Sequence, residues 1–311
     1  MTGEEIMRKN NLLSVFILML AGILTVAPCF LSGITAQDRI PACPPLGKTL
    51  KKIKPLREMT WANDTISAQI SFPSAFRETG RNEIIDSIAL LSPVFEHLRQ
   101  VRAGLSEDTV RIVHIGDSHV RGHIYPQTTG ARLTETFGAV SYIDKGVNGA
   151  TCLTFTHPDR IAEIAALKPE LLILSFGTNE SHNRRYNINV HYNQMDELVK
   201  LLRDSLPNVP ILLRLRRARM KVSAKKAKTH LSINPRTVTA AETIRRYAKN
   251  NRLLVWDMYD VVGGKRRACT NWTEAKLMRP DHVHYLPEGY ILQGNLLYQA
   301  IIKAYNDYVS H

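Results

Sequence analysis

Four short clusters in the chain carry groups that can move a proton or hold a developing charge. Gly116-Asp117-Ser118-His119 offers a hydroxyl, and Gly146-Val147-Asn148-Gly149-Ala150-Thr151 is a glycine-rich turn. Gly177-Thr178-Asn179-Glu180 offers an amide, and Asp281-His282-Val283-His284 a carboxylate and an imidazole. A hydroxyl, a base, a carboxylate to orient the base and a set of N–H donors are the parts for acyl transfer through a serine ester. Each cluster alone has a plain structural use. Ser118 could cap a helix, Asn179 could turn a loop, and Asp281 and His284 could lie on an exposed loop.

The elements around the clusters decide whether they can meet. From Thr109 onward, apolar runs alternate with helical spacing. Strands are expected at Val110–Ile115, Ala139–Ile143, Leu171–Phe176, Pro210–Leu215 and Leu253–Trp256. Helices are expected at Tyr125–Phe137, Pro158–Leu167, Val190–Leu206, Thr237–Asn250 and Pro287–Tyr305. This alternation predicts a three-layer α/β domain with a central parallel sheet of about five strands, covered on both faces. Ligands of such sheets lie beyond the carboxyl ends of the strands. Three of the clusters follow a predicted strand and the fourth precedes the last helix. Upstream, Asn82–Arg102 has helical spacing, with Pro93 expected to kink or split it.

The four clusters, taken in order, resemble the blocks of the SGNH, or GDSL-type, esterases and acylhydrolases over residues 106–311. Gly-Asp-Ser matches the nucleophile block at Ser118, Gly149 the second block, Asn179 the third, and Asp281 with His284 the terminal Asp-x-x-His. The resemblance implies a flavodoxin-like SGNH-hydrolase fold and a carboxylic ester hydrolase with no cofactor. It makes Ser118 the nucleophile, His284 the base and Asp281 its orienting carboxylate. Ser118, Gly149 and Asn179 become the oxyanion donors, and a side chain at position 149 is expected to block the approach of substrate to its N–H. His282 is the rival base. Asp117 is read as a structural brace. His119 extends the block to Gly-Asp-Ser-His, a variant similar to that of enzymes acting on O-acetylated cell-wall sugars. His119 and Glu180 are the two candidate substrate contacts, with bracing of the loop the preferred role for Glu180. The chain has no Gly-x-Ser-x-Gly elbow, which argues against an ordinary α/β-hydrolase.

The remaining features concern address and partners. Residues 1–37 join a basic start, an uncharged apolar run from Leu12 to Leu31 and a small-residue end, the pattern of a secretory signal peptide cleaved near Ala36 or Gln37. The alternative is an uncleaved membrane anchor. The mature chain is expected in the periplasm or secreted. Residues 38–105 read as an irregular lead-in and a helix packing on the main domain. Cys152 and Cys269 could pair, and no Cys-x-x-Cys or His-x-x-x-His spacing points to a metal.

The 311-residue chain carries a formal charge of +13, with 44% hydrophobic and 22% charged residues. That composition excludes a disordered or collagen-like protein and a polytopic membrane protein. The charge is concentrated. Arg214, Arg216, Arg217, Arg219, Lys221, Lys225, Lys226 and Lys228 fall within 15 residues that hold no acidic group. Removing these eight from +13 leaves +5 for the rest. The segment reads either as a landing strip for an anionic polymer or as a solvated loop. It has no interleaved aromatic and no nucleic-acid motif, so nucleic acid is not expected as a partner. The leading expectation is an exported serine esterase acting on O-acetyl esters of a glycan. The alternatives are an O-acetyltransferase with the same site, a lipid esterase or lysophospholipase, and a non-catalytic protein that binds an anionic wall polymer.

Overall fold

The computed structural model describes residues 64–215, 220–225 and 228–310. The expected leader or anchor at residues 1–37 lies outside the described residues, as do Arg216, Arg217, Arg219 and Lys226. Among the described residues no helix is long and apolar enough to cross a membrane.

The centre is a six-stranded sheet. Its strands are β1 (Ile84–Ile85), β2 (Val110–Gly116), β3 (Val140–Gly146), β4 (Leu171–Ser175), β5 (Ile211–Arg214) and β8 (Leu254–Trp256), in spatial order β1-β8-β5-β4-β2-β3. All pairs are parallel except β1 with β8. Every residue of β4 and β5 is buried, the mark of a strand covered on both faces. Helices Ser92–Arg102, Ile124–Phe137 and Pro287–Ser310 pack together, as do Pro158–Ala166, Ile188–Ser205 and Pro235–Asn250, giving the three-layer α/β architecture. The observed helix starts follow local chemistry. Asn187 Oδ1 accepts the N–H groups of Asn189 and Val190, so that helix begins at Ile188 rather than Val190.

The register of the sheet places the site. Gly116 pairs with both Gly146 and Ser175, so β2, β3 and β4 end level with one another. The chain leaves these three ends into the first three clusters. Gly146 is required here, because a Cβ on it would lie 2.0 Å from the Arg121 backbone nitrogen. Its bare backbone lets the short helix Ser118–Arg121 settle onto the end of β3.

Three expectations are corrected. The helix expected over Asn82–Arg102 exists only from Ser92. Asp86 takes the N–H groups of Leu90 and Leu91 on its carboxylate, and Ala89 sits at φ 56°, so the chain turns there. Pro93, lacking an N–H, falls in the first turn, where none is needed. Ile85 and Ile88, which the helical spacing would put on a buried face, are 57% and 49% exposed. The basic segment is also more than a loop. β6 (Met220–Lys225) and β7 (Lys228–Ile233) form an antiparallel hairpin that carries Lys221, Lys225 and Lys228 in its backbone ladder.

Arg214, finally, is not a polymer contact. It ends β5 and is 1% exposed. Its guanidinium lies 4.3 Å from the Tyr125 ring centroid and 5.6 Å from that of Trp256, and donates to Gln293 Oε1 at 2.5 Å. Aromatic faces and a fixed acceptor are what allow a guanidinium to be buried. The open question of a disulfide is answered too: Cys152 and Cys269 are both buried and no disulfide joins them.

Residues 64–105 contact the core at several points. Asn82 accepts from Trp256 Nε1 at 2.9 Å and donates to the Leu296 carbonyl at 2.8 Å. Ile66 and Asn306 exchange two hydrogen bonds of 2.8 Å.

Arg214→Ala removes a buried cation and leaves both a void and a Gln293 Oε1 without the guanidinium that donates to it. It is expected to lower unfolding free energy by about 3 kcal/mol or more, read by urea denaturation. A change within about 0.5 kcal/mol, as for a surface residue, would contradict this placement.

Candidate active site

The first and fourth clusters meet above the level strand ends. Ser118 Oγ lies 3.0 Å from His284 Nε2, and His284 Nδ1 lies 2.7 Å from Asp281 Oδ2. The other Asp281 oxygen accepts the backbone N–H groups of Val283 at 2.8 Å and His284 at 2.9 Å. Partial burial alone would raise the Asp281 carboxyl. The hydrogen bonds from the His284 ring and from the two backbone groups outweigh it and hold the carboxyl below its ordinary value. An ionised carboxylate can only accept, so His284 carries its proton on Nδ1 and presents a lone pair on Nε2 to the Ser118 hydroxyl. This arrangement can take a proton from Ser118 as its oxygen attacks an electrophile. His282 is not in the relay, and its backbone φ of 52° belongs to the tight turn that brings His284 round.

Asp117 fixes the serine from below. It is fully buried, caps the helix Ser118–Arg121 and accepts the His119 N–H at 3.0 Å on its carboxylate. The expected brace is what is observed. Among the described residues no protein group accepts the backbone N–H of Ser118 or of Gly149. Asn179 Nδ2 donates to the Ala150 carbonyl at 2.8 Å, which ties the third cluster to the second and leaves the second amide hydrogen available. Gly149 is also required by its own backbone. A Cβ there would meet no protein atom within 4 Å, but φ is +74°, a conformation that L side chains rarely adopt.

Neither candidate substrate contact is accessible. Glu180 is 6% exposed and accepts the N–H of Cys152 at 2.9 Å on one oxygen and of Gly177 at 2.8 Å on the other. Burial raises its carboxyl above the ordinary value, against the pull of these backbone hydrogen bonds. It braces the two loops against each other. His119 is 1% exposed, and its ring stacks on His284 with centroids 4.9 Å apart and planes 22° apart. Tyr290 Oη lies 2.9 Å from His119 Nδ1, and the rings of Tyr285 and Tyr290 pack edge-on against His119. His119 therefore buttresses the His284 ring rather than reaching a ligand. Tyr285 and Tyr290 carry no signal in the sequence, because nothing there says which residues of the closing segment face the serine.

The model of the GDSL-like Lipase/Acylhydrolase family matches residues 114–292. No curated protein matches the sequence. Among solved structures, a peptidoglycan O-acetylesterase is similar with a TM-score of 0.63 and 16% identity, over 75% of this chain and 100% of that one. A GDSL-like lipase from Bacteroides thetaiotaomicron is similar with a TM-score of 0.47 and 21% identity, over 68% of this chain and 99% of the other. The first likeness shows a shared fold, and the central sheet flanked by helices is the part this chain has in common with it.

The depressed Asp281 carboxyl has a measurable source. In His284→Ala the ring donor is gone while the two backbone N–H groups remain. The Asp281 titration followed by carboxyl ¹³C NMR is then expected to move up from its wild-type position. In the wild type the Asp281–His284 pair holds at neutral pH and is lost as pH falls through the depressed carboxyl value. An unmoved titration in the variant would show that the ring bond is not what holds the carboxyl down.

Proposed function

From the premise that the chain belongs to the GDSL-like lipase and acylhydrolase family, carboxylic ester hydrolases of the SGNH type, we propose that it is an exported enzyme removing O-acetyl groups from a glycan through an acyl-enzyme on Ser118. The observation that carries this reading is the continuous relay from Ser118 through His284 to Asp281, at 3.0 and 2.7 Å. In the first step Ser118 Oγ bonds to the ester carbon and gives its proton to His284 Nε2. The carbonyl oxygen becomes an oxyanion facing the N–H groups of Ser118 and Gly149 and the Asn179 amide. Collapse breaks the bond to the sugar oxygen, which leaves with the proton from His284. Water then attacks the acyl-Ser118 carbonyl and passes a proton to His284, and acetate departs as Ser118 recovers its hydrogen. Asp281 stays ionised throughout and offsets the charge on His284 while it holds the proton.

Two features support a glycan ester over other esters. The Gly-Asp-Ser-His block is of the kind met in enzymes of O-acetylated cell-wall sugars, and the fold is shared with a peptidoglycan O-acetylesterase. Export rests on the leader-like residues 1–37. The cations of residues 216–228, without Arg214, are assigned to contact with an anionic polymer. In the sequence they follow β5, which runs parallel to β4, so its carboxyl end faces the edge from which the first three clusters leave.

Ser118→Ala is expected to abolish p-nitrophenol release from p-nitrophenyl acetate, and wild-type-like turnover in that variant would sink the mechanism. Asn179→Ala, which removes one oxyanion donor, is expected to lower kcat by about 10²–10³. With O-acetylated peptidoglycan or acetyl-xylan, free acetate is the expected product. Acetyl transfer to a glycan acceptor would instead make the protein a transferase.

Lys221→Gln, Lys225→Gln and Lys228→Gln combined are expected to weaken retention on an anionic polymer at low salt and leave p-nitrophenyl acetate turnover unchanged. Unaltered retention would remove the hairpin from the binding surface.

A further inference from the structure

Behind the loops that hold Gly149 and Asn179, three metal-binding atoms converge. Cys152 Sγ, a Glu180 carboxylate oxygen and a ring nitrogen of His191 all lie within 4.8 Å of one another. They come from three elements: the 3-10 turn Cys152–Phe155, the helix Thr178–His182 and the helix Ile188–Ser205. Cys152 is 2%, Glu180 6% and His191 1% exposed.

The hydrogen bonds around His191 determine where its proton sits. Thr243 Oγ1 donates to the Thr239 carbonyl at 2.8 Å, and a carbonyl can only accept. Tyr186 Oη donates its single proton to Thr243 Oγ1 at 3.2 Å. His191 Nδ1, 2.9 Å from the same tyrosine oxygen, must then be the donor in that pair. The other nitrogen, Nε2, is left with a bare lone pair, and it is buried with no hydrogen-bond partner among the described residues. Both Glu180 oxygens already accept backbone N–H groups, and the Cys152 sulfur lies within 4.8 Å of one of them. An imidazole lone pair, a carboxylate and a sulfur thus share one thiol proton in a buried space. A buried acceptor without a donor is unfavourable, and one cation bound by all three groups would satisfy them together.

We propose that Cys152, Glu180 and His191 form a zinc site. One thiolate, one imidazole and one carboxylate make a borderline-soft donor set that suits Zn²⁺. Atoms no more than 4.8 Å apart leave a point within about 2.8 Å of all three, against zinc bonds of about 2.0–2.3 Å, so shifts under about 1 Å close the site. Binding forms Zn–S, Zn–N and Zn–O bonds and breaks the S–H bond, whose proton goes to solvent; no electron is transferred. The His191 Nδ1–H bond to Tyr186 is the outer hydrogen bond that metal-bound imidazoles make. Cys152 lies three residues after Gly149, and Glu180 directly follows Asn179. The ion therefore clamps together the two loops that carry those residues, as a structural brace rather than a reactant.

The full-length protein, stripped of metal, is titrated with Co²⁺ and then with Zn²⁺. One equivalent of Co²⁺ is expected to give a near-ultraviolet thiolate-to-cobalt absorption, which Zn²⁺ then displaces. Cys152→Ser should lose that band, and His191→Gln should bind Co²⁺ about tenfold or more weakly, with circular dichroism confirming that both variants are folded. Absence of the band in the wild type, or its survival in Cys152→Ser, overturns the proposal. If either variant is unfolded, the ratio of zinc to protein in the wild type as purified decides, with one-to-one supporting the site and none overturning it.

Discussion

The parallel register at the centre of the sheet is the constraint from which the site follows. Because Gly116 stands level with Gly146 on one side and Ser175 on the other, three loops leave the sheet together. The nucleophile helix can lie close to β3 only because Gly146 has no side chain. A slip of one residue in any of these pairs would turn the strand's faces over and move its loop out of reach. The fourth cluster arrives from outside the sheet, on the turn before the closing helix. That helix packs against Ile124–Phe137 and so anchors His284 to the same layer as the serine loop.

Two carboxylates divide the work of the site by environment. Asp281 is half-exposed, is surrounded by donors and is held below its ordinary value, which suits a permanent charge beside an imidazole. Glu180 is buried, with burial pushing its carboxyl upward, and it spends its oxygens on backbone N–H groups of two loops. The first orients a ring and the second fixes a backbone. His119 adds a third kind of support, a stacked ring held in place by Tyr290, so that the His284 plane is confined on one side by packing and at its end by Asp281.

Arg214 belongs with the sheet rather than with the basic segment that it begins. Its charge is absorbed by Tyr125, Trp256 and Gln293, which come from a helix, a strand and the closing helix. The guanidinium joins elements from both ends of the domain. Charge alone says nothing of this: an arginine at the end of an inner strand and one in an exposed hairpin read identically until the neighbours of each are known.

The local pattern was sufficient for much of the protein. The apolar runs of β2, β4 and β5 and the spacing of the long helices are legible because strand and helix periodicities are local properties of the chain. So are the four clusters, whose order and residue types already carry the relay of Ser118, His284 and Asp281. What a one-dimensional pattern cannot hold is which side of a residue is covered. Asn82–Arg102 reads as helical, kinked or split at Pro93, because its apolar residues have the right spacing, yet the Asp86 turn and the pairing of Ile84 with Trp256 leave helix only from Ser92. His119 reads as a ligand contact, and Glu180 as a brace or a contact, because burial is set by distant segments, Tyr290 for one and the Cys152 loop for the other. The convergence of Cys152, Glu180 and His191 was invisible for the same reason. Their spacing in the chain matches no metal motif, and only the packing of three separate elements brings their lone pairs into one buried space.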